Sequence, residues 1–240
     1  MKDEIGIQSY WKEQTERGTN PCHYHNRWQD AYAFRVRIRA FRKEDFLGAR
    51  QVIDIGCGIG EYMEALSALA SDATFIGFDF PFNVRIARER YADFPRLTFC
   101  DGAVPSEEIE RAMREADIVY TTTVYVHLAP SSRRAFLEYA GGMHPGAKLM
   151  LLEYAPLRVP EFQKGLAHKE VEDETTLIRK ICERGFALSE VRLVNYLDSF
   201  LFHHFGCNAL TYYATLFVES VLRVARFPRA KYRLFIFRKN

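Results

Sequence analysis

Three aspartates and a run of glycines carry most of the chemistry that this sequence can be read for. Gly56, Gly58 and Gly60 are spaced G-x-G-x-G, with Cys57 between the first two. Glycine in such a run can take φ > 0, and without a Cβ it lets a ligand lie against the backbone. Asp54 precedes the first glycine by two residues, while Asp79 and Asp101-Gly102 close two later apolar runs. A carboxylate beside the loop repels a pyrophosphate and attracts a cation. The cradle therefore suits a flat, cationic ligand without phosphate, unlike the dinucleotide spacing G-x-G-x-x-G, which seats a pyrophosphate on a helix N-terminus. Seven histidines supply acid-base candidates, histidine being the side chain that titrates nearest neutrality. By position at least one of His127, His25, His203 and His204 is expected to touch an acceptor and assist its deprotonation. His127 has the alternative of merely supporting the loop.

The elements that must position these groups alternate strand and helix. Val52 to Ile55 reads as a buried parallel strand, and Glu61 to Leu69 has helical apolar spacing. Thr74 to Phe78 and Leu97 to Cys100 are the next strands, each ending in its aspartate. Taken singly, each aspartate could be a helix cap or a turn former. Together they fall at the carboxyl ends of three strands, the edge where open α/β sheets bind ligands. Pro105 to Arg114 reads as a helix and Ala116 to Thr123 as the fourth strand. Ser131 to Tyr139 is helical, Ala147 to Leu152 is the fifth strand and ends at Glu153-Tyr154, and Val159 to His168 is irregular. Asp173 to Glu183 is the next helix, stopped at Gly185, before a sixth strand over Phe186 to Leu197 and a seventh, antiparallel, over Tyr232 to Phe237.

In this loop, and in the acidic residues that come after it, the sequence resembles the class I S-adenosylmethionine-dependent methyltransferases, of the small-molecule type. S-adenosylmethionine carries an ammonium and a sulfonium and no phosphate, which suits an acidic glycine-lined cradle. The resemblance covers about Gln51 to Leu197 and returns at Tyr232 to Phe237. It implies a doubly wound α/β fold with a mostly parallel seven-stranded, Rossmann-like sheet. Residues 1–45 would form an N-terminal helical cap and 46–240 the methyltransferase domain, with a helical insertion at about 199–228. Asp54, Gly56, Cys57, Gly58, Gly60, Asp79, Phe80, Asp101, Gly102 and Thr122 would hold the cofactor, Asp79 through the ribose hydroxyls and Asp101 through the adenine amino group. The implied reaction is displacement at the sulfonium methyl by an oxygen or nitrogen of a small acceptor, aromatic or a secondary metabolite.

The acceptor side rests on aromatic residues outside the motifs. Two amphipathic helices, one around Tyr10 and Trp11 and one from Trp28 to Phe41, flank a loop at Gly18 to Pro21. Their aromatics either pack on the sheet or, as the resemblance implies, form a lid in which Tyr10, Trp11, Tyr24 and Trp28 join Tyr125 and Glu153 in contacting the acceptor. Arg35, Arg37, Arg39, Arg42 and Lys43 alternate around the second helix and read as a solvated face, from which one arginine could pair with the cofactor carboxylate. In the insertion, a helix over Cys207 to Arg226 is either a packing or homodimer contact or a second wall of the pocket.

Composition narrows the partners. A net charge of +2 over 240 residues does not call for nucleic acid. The five cysteines form no C-x-x-C pair, and Met1 to Gly18 is charged throughout, so a reducing cytoplasm and no secretory leader are expected. The insertion is too short and too interrupted for the roughly 20 apolar residues of a membrane span. Cys22, His23 and His25, and His203, His204 and Cys207, are of ligand type, but methyl transfer needs no metal and none is expected. No D-P-P-Y or Pro-Cys signature of DNA methylation comes after the fourth strand. Three rivals remain: a nicotinamide oxidoreductase, which needs the other glycine spacing; an RNA-directed methyltransferase using Arg223, Arg226, Arg229, Lys231 and Arg233; and a non-catalytic S-adenosylmethionine-binding subunit.

Overall fold

Runs of β-branched, leucine and aromatic residues with almost no polar interruption demand burial on both faces, and the chain meets that demand by winding helices over a central sheet. The computed structural model describes residues 9, 12–13, 27–155, 173–195, 197, 200–225, 227 and 230–240. The strands are β1 (Gln51–Ile55), β2 (Thr74–Asp79), β3 (Leu97–Asp101), β4 (Ile118–Thr122), β5 (Lys148–Tyr154), β6 (Phe186–Val194) and β7 (Tyr232–Lys239). They lie in one seven-stranded sheet in the order β3-β2-β1-β4-β5-β7-β6. β7 runs antiparallel to both β5 and β6, and the pairs among β1 to β5 are parallel. The order reverses direction at β1, so its carboxyl end, where the glycines lie, faces the crevice that such sheets use for ligands.

The helices are α1 (Arg27–Ile38), α2 (Glu61–Ser67), α3 (Pro81–Arg90), α4 (Glu107–Glu115), α5 (Pro130–Gly141), α6 (Glu174–Cys182), α7 (Phe200–Phe205) and α8 (Ala209–Val224). Their starts obey local chemistry. Pro81 and Pro130 open α3 and α5, where a missing N–H costs nothing. Asp173 and Asn208 cap α6 and α8 by accepting from Thr176 N and Thr211 N, each at 2.9 Å. α3 and the short 3-10 turns Lys43–Phe46 and Tyr125–His127 have no counterpart among the elements expected from the sequence. β6 ends at Val194, earlier than the expected Leu197, because Asn195 turns the chain with φ 61°. The expected helix at Tyr10 and Trp11, the loop at Gly18 to Pro21 and the irregular Val159 to His168 lie outside the described residues.

Polar bonds in the interior tie α1 and α8 to the sheet. Tyr32 on α1 is buried, and its hydroxyl is shared between Asn195 Oδ1 at 3.1 Å and Glu219 Oε2 on α8 at 2.9 Å. Arg37 corrects the expectation of a solvated arginine face: it is buried, donates to the Tyr232 hydroxyl, and lies with its guanidinium 4.4 Å from that ring's centre. Trp28 packs on Tyr212 and Phe34 on Tyr62, with ring centres 5.6 and 5.2 Å apart. α1 is thus clasped by α2 on one side and α8 on the other.

A second buried anchor joins β6 to the turn before β1. Arg192 forms a two-pronged pair with Asp45, at 2.6 and 2.7 Å, and also donates to Ala40 O. Removing one member of a buried pair strands the other charge. Arg192→Met is therefore expected to lower unfolding stability by about 3 kcal/mol, read from the midpoint shift of a urea transition.

Candidate functional site

The turn after β1 is built from backbone bonds that wrap it onto the tip of β2. Gly56 N and Cys57 N both donate to Phe78 O, at 2.8 and 3.1 Å. Gly56, Gly58 and Gly60 all have positive φ, at 78°, 56° and 88°. A Cβ on Gly56 would lie 2.4 Å from Val124, and one on Gly60 would run into the rings of Tyr91 and Phe99. At Gly58 a Cβ would meet nothing within 4 Å, so this part of the loop presents bare backbone to open space.

Asp79, at the tip of β2, fixes that loop. Its Oδ2 accepts from Gly58 N at 2.7 Å, and its Oδ1 accepts from Phe80 N at 2.7 Å and Asn83 Nδ2 at 2.8 Å. An ionised carboxylate offers about four acceptor positions. Three are used within the protein, which leaves room for about one more donor. Burial raises the pKa, and the bonds from Asn83, Gly58 and Phe80 pull it back. Asn83 is not among the residues singled out from the sequence, although a polar amide one helical turn after a strand-tip aspartate is a signal that could have marked it. Phe80 stacks on Phe82, with ring centres 5.6 Å apart. Asp101 lies beside Asp79 in register, Gly102 N donates to Asp79 O at 2.9 Å, and the exposed Asp101 carboxylate faces Arg88 at 3.5 Å.

Asp54 is different in kind. Its side chain is 1% exposed, and neither carboxylate oxygen makes a hydrogen bond of ordinary geometry. Desolvation raises its pKa to about 8, the nearby Tyr120 hydroxyl offsets part of that, and the charge of Asp79 adds to it. A buried acid with a single hydroxyl beside it is costly when ionised. A cation or donor brought against this loop would relieve it.

Beyond β4 the backbone is strained. Thr123 has φ 58°, a region that β-branched residues rarely enter, and such strain is held in place only by its surroundings. Thr123 N donates to Leu152 O at 2.7 Å, and Val124 packs on Gly56. Glu153 anchors the short turn at Tyr125: its Oε1 accepts from Tyr125 N at 2.9 Å and from Thr121 Oγ1 at 3.5 Å. Both Tyr125 and Glu153 are fully buried, with Glu153 bonded beneath the turn that flanks the loop. Thr122 ends β4 at the same edge, in register with Leu152. Burial raises the Glu153 pKa to about 8 against the pull of the turn's N–H groups. Nothing local in the sequence signals the strain at Thr123, which depends on strands far along the chain.

His127 ends this turn with a half-buried ring, and desolvation together with Arg133 lowers its pKa to about 4. It is neutral near pH 7 and a weak base. His204 is exposed on α7. His25, Tyr10, Trp11 and Tyr24 lie outside the described residues, as does the side chain of His203. Trp28 is half-buried against Tyr212. Of the basic residues near the C-terminus, Arg233 pairs with Glu174 and Arg223 donates to Arg39 O, while Arg226 and Arg229 lie outside the described residues. Among the described residues no group of three His, Cys, Asp or Glu is placed to hold a metal ion, and no helix is long and apolar enough to cross a membrane.

These shifts set a pH dependence with a definite sign. Asp54 and Glu153 keep a proton in the folded state between their ordinary pKa values of 3.8 and 4.5 and about 8, where the unfolded chain has lost it. Their contribution is therefore present at low pH and is lost as pH rises towards 8. His127 acts oppositely, binding its proton more readily unfolded, so its contribution is lost as pH falls from 6.5 towards 4. Between pH 6.5 and 8 the carboxyl effect stands alone. In thermal melts across that interval Glu153→Gln is expected to flatten the fall in stability shown by the wild-type chain.

Comparison with known proteins agrees with this geometry. Residues 52–146 match the family model described as a methyltransferase domain, from β1 through the turn before β5. Similar solved structures include a chain of the complex between the Haloferax volcanii Trm112 methyltransferase activator and a methyltransferase (17% identity, 96% of this chain and 95% of that one, TM-score 0.63). Another is the N-methyltransferase NodS from Bradyrhizobium japonicum with S-adenosylhomocysteine (13% identity, 98% of each chain, TM-score 0.59). A third is human N-acetylserotonin methyltransferase with S-adenosylmethionine (17% identity, 88% and 53%, TM-score 0.57). At these identities the likeness is one of fold. The chain spans about half the length of several structures that it matches, the human one included. A search of curated proteins finds no match.

Proposed function

We propose, from the premise that this chain carries a methyltransferase domain on the class I methyltransferase fold, that it transfers the methyl group of S-adenosylmethionine to an oxygen or nitrogen of a small acceptor. The observation that carries this reading is the donor set around the loop: bare glycine backbone at Gly58 beside the carboxylates of Asp79 and Asp54, the latter buried with only the Tyr120 hydroxyl beside it. That set fits a cofactor with cationic groups and hydroxyls and no phosphate.

Bound S-adenosylmethionine supplies an electrophilic methyl on its sulfonium. The chain contributes position. Asp79 offers its remaining acceptor capacity to a ribose hydroxyl while it keeps Gly58 in place, and Asp101-Gly102 border the adenine end. Asp54 is stabilised as an anion by positive charge over the loop. The strained turn at Thr123, propped from below by Glu153, forms the wall next to the reacting atoms. Proximity and alignment of this kind lower a barrier without acid-base work. That suits a neutral, weakly basic His127, whose replacement by asparagine is expected to leave the pH–rate profile above pH 6 in place. A profile that loses an ionisation near 7 in that variant would assign His127 as the base.

Arg223 and Arg233 being engaged within the fold weighs for a small acceptor over RNA. The reading is tested by titration calorimetry with S-adenosylhomocysteine, then by transfer of labelled methyl to a panel of phenols, amines and hydroxy acids. Cofactor binding without transfer to any acceptor would favour a non-catalytic binding subunit. Asp79→Ala removes a charged acceptor worth about 1.5–3 kcal/mol per hydrogen bond, so affinity is expected to fall roughly ten- to a hundredfold. Unchanged affinity in a folded Asp79→Ala variant would remove Asp79 from the cofactor site.

A further inference from the structure

α8 is apolar on both sides. Its inner face packs Tyr212 and Leu216, with Thr211, Thr215 and Glu219, against the body of the protein. Its outer face exposes Leu210 (81%), Tyr213 (64%), Phe217 (70%), Val221 (50%) and Val224 (84%). Ala214 and Ser220 share that face, and no charged residue does. A helix that is apolar all round belongs in an interior. Phe205 and Phe227 extend the exposed surface at either end. At about 150–250 Å² for a fully exposed aromatic side chain and less for Leu and Val, these fractions amount to roughly 800–900 Å². The largest apolar patch on a typical monomer is about 300–600 Å², whereas each partner in a standard stable interface gives about 800 Å².

The area of the patch matches what a second copy would cover, and the spacing of the stripe sets how two copies would meet. From Leu210 the steps are three, four, four and three residues, so the pattern reads the same from either end and Phe217 is its midpoint. An isologous two-fold contact sets one patch against its own copy, so that residue i meets residue j and j meets i, and a stripe centred on Phe217 can pair with itself in this way. We propose that α8 forms the core of a homodimer, packed antiparallel on the same helix of a second copy with Phe217 on the two-fold axis. Leu210 then meets the partner's Val224, and Tyr213 meets the partner's Val221. Antiparallel packing also sets each helix N-terminus beside the partner's C-terminus, where the backbone dipoles attract. A lipid surface suits this helix less well, because an interfacial helix needs a charged face opposite its apolar one and α8 has none.

The test is the oligomeric state of the full chain in sedimentation velocity and light scattering. The wild-type chain is expected to be a dimer, with a dissociation constant on the order of micromolar or tighter. Phe217→Glu sets two carboxylates together at the axis and is expected to weaken the dimer by roughly a hundredfold or more. Because Phe217 is exposed in the protomer, the far-ultraviolet circular dichroism of that variant should match the wild type. Phe217→Leu keeps the dimer. The register is tested by Tyr213→Glu and Val221→Lys, which face each other across the axis: the double variant should recover more dimer than either single one. A wild-type chain that stays monomeric at every concentration, including one that binds anionic vesicles through this face, overturns the proposal. So does a dimer indifferent to Phe217→Glu, which would use another surface.

Discussion

The carboxylate of Asp79 is the interaction on which the ligand edge depends. A glycine loop is chosen for its freedom, and freedom alone would leave its N–H groups without fixed direction. Asp79 removes that freedom at one point by accepting from Gly58 N while its other oxygen holds Phe80 N and Asn83 at the start of α3. The loop after β1 and the helix after β2 are thereby referred to a single side chain. Gly77, two residues earlier on the same strand, admits the other half of the arrangement: a Cβ there would strike Met63 and Cys57, so α2 and the loop can lie flat on β2.

A second carboxylate does comparable work across the crevice. Glu153 reaches from β5 to the turn after β4, and Val124 of that turn closes on Gly56. Both sides of this strand edge are therefore set by acids that bond backbone N–H groups, Asp79 half-buried and Glu153 fully buried. The positive φ of Thr123 is the local cost of this arrangement, and the neighbouring strands sustain it. Asp54 is buried close to Asp79, with the Tyr120 hydroxyl beside it and a pKa raised to about 8 by desolvation.

The parts of this design that depend on local pattern were legible in the sequence. The G-x-G-x-G run, the apolar strands and the aspartates at their tips are all nearest-neighbour signals, and the structure sets Asp54, Asp79 and Asp101 on one edge. The features that escaped depend on contacts distant in sequence. Arg37 belongs by spacing to a charged helical surface, yet the ring of Tyr232 and a buried hydroxyl draw it inside. Nothing local marks Glu153 as the acceptor of the Tyr125 N–H, because that bond joins residues 28 apart in sequence. α3 was missed because its arginines and glutamate mask a narrow apolar stripe of Val84 and Ala87.

The placement of β7 carries a consequence for how the chain reaches this state. β7 lies between β5 and β6, although it comes after both in the chain. Until it inserts, β5 and β6 each present an open edge of unpaired N–H and C=O groups, and the long crossover containing α7 and α8 must already be out of the slot. Edges of that kind recruit other chains, and during synthesis the interval is set by the time needed to make the intervening residues. Closure of the sheet is thus a late, non-local event. Chaperone demand and inclusion-body formation on overexpression should concentrate in that waiting period rather than in the glycine-loop half, whose strands β1 to β4 can pair as they emerge.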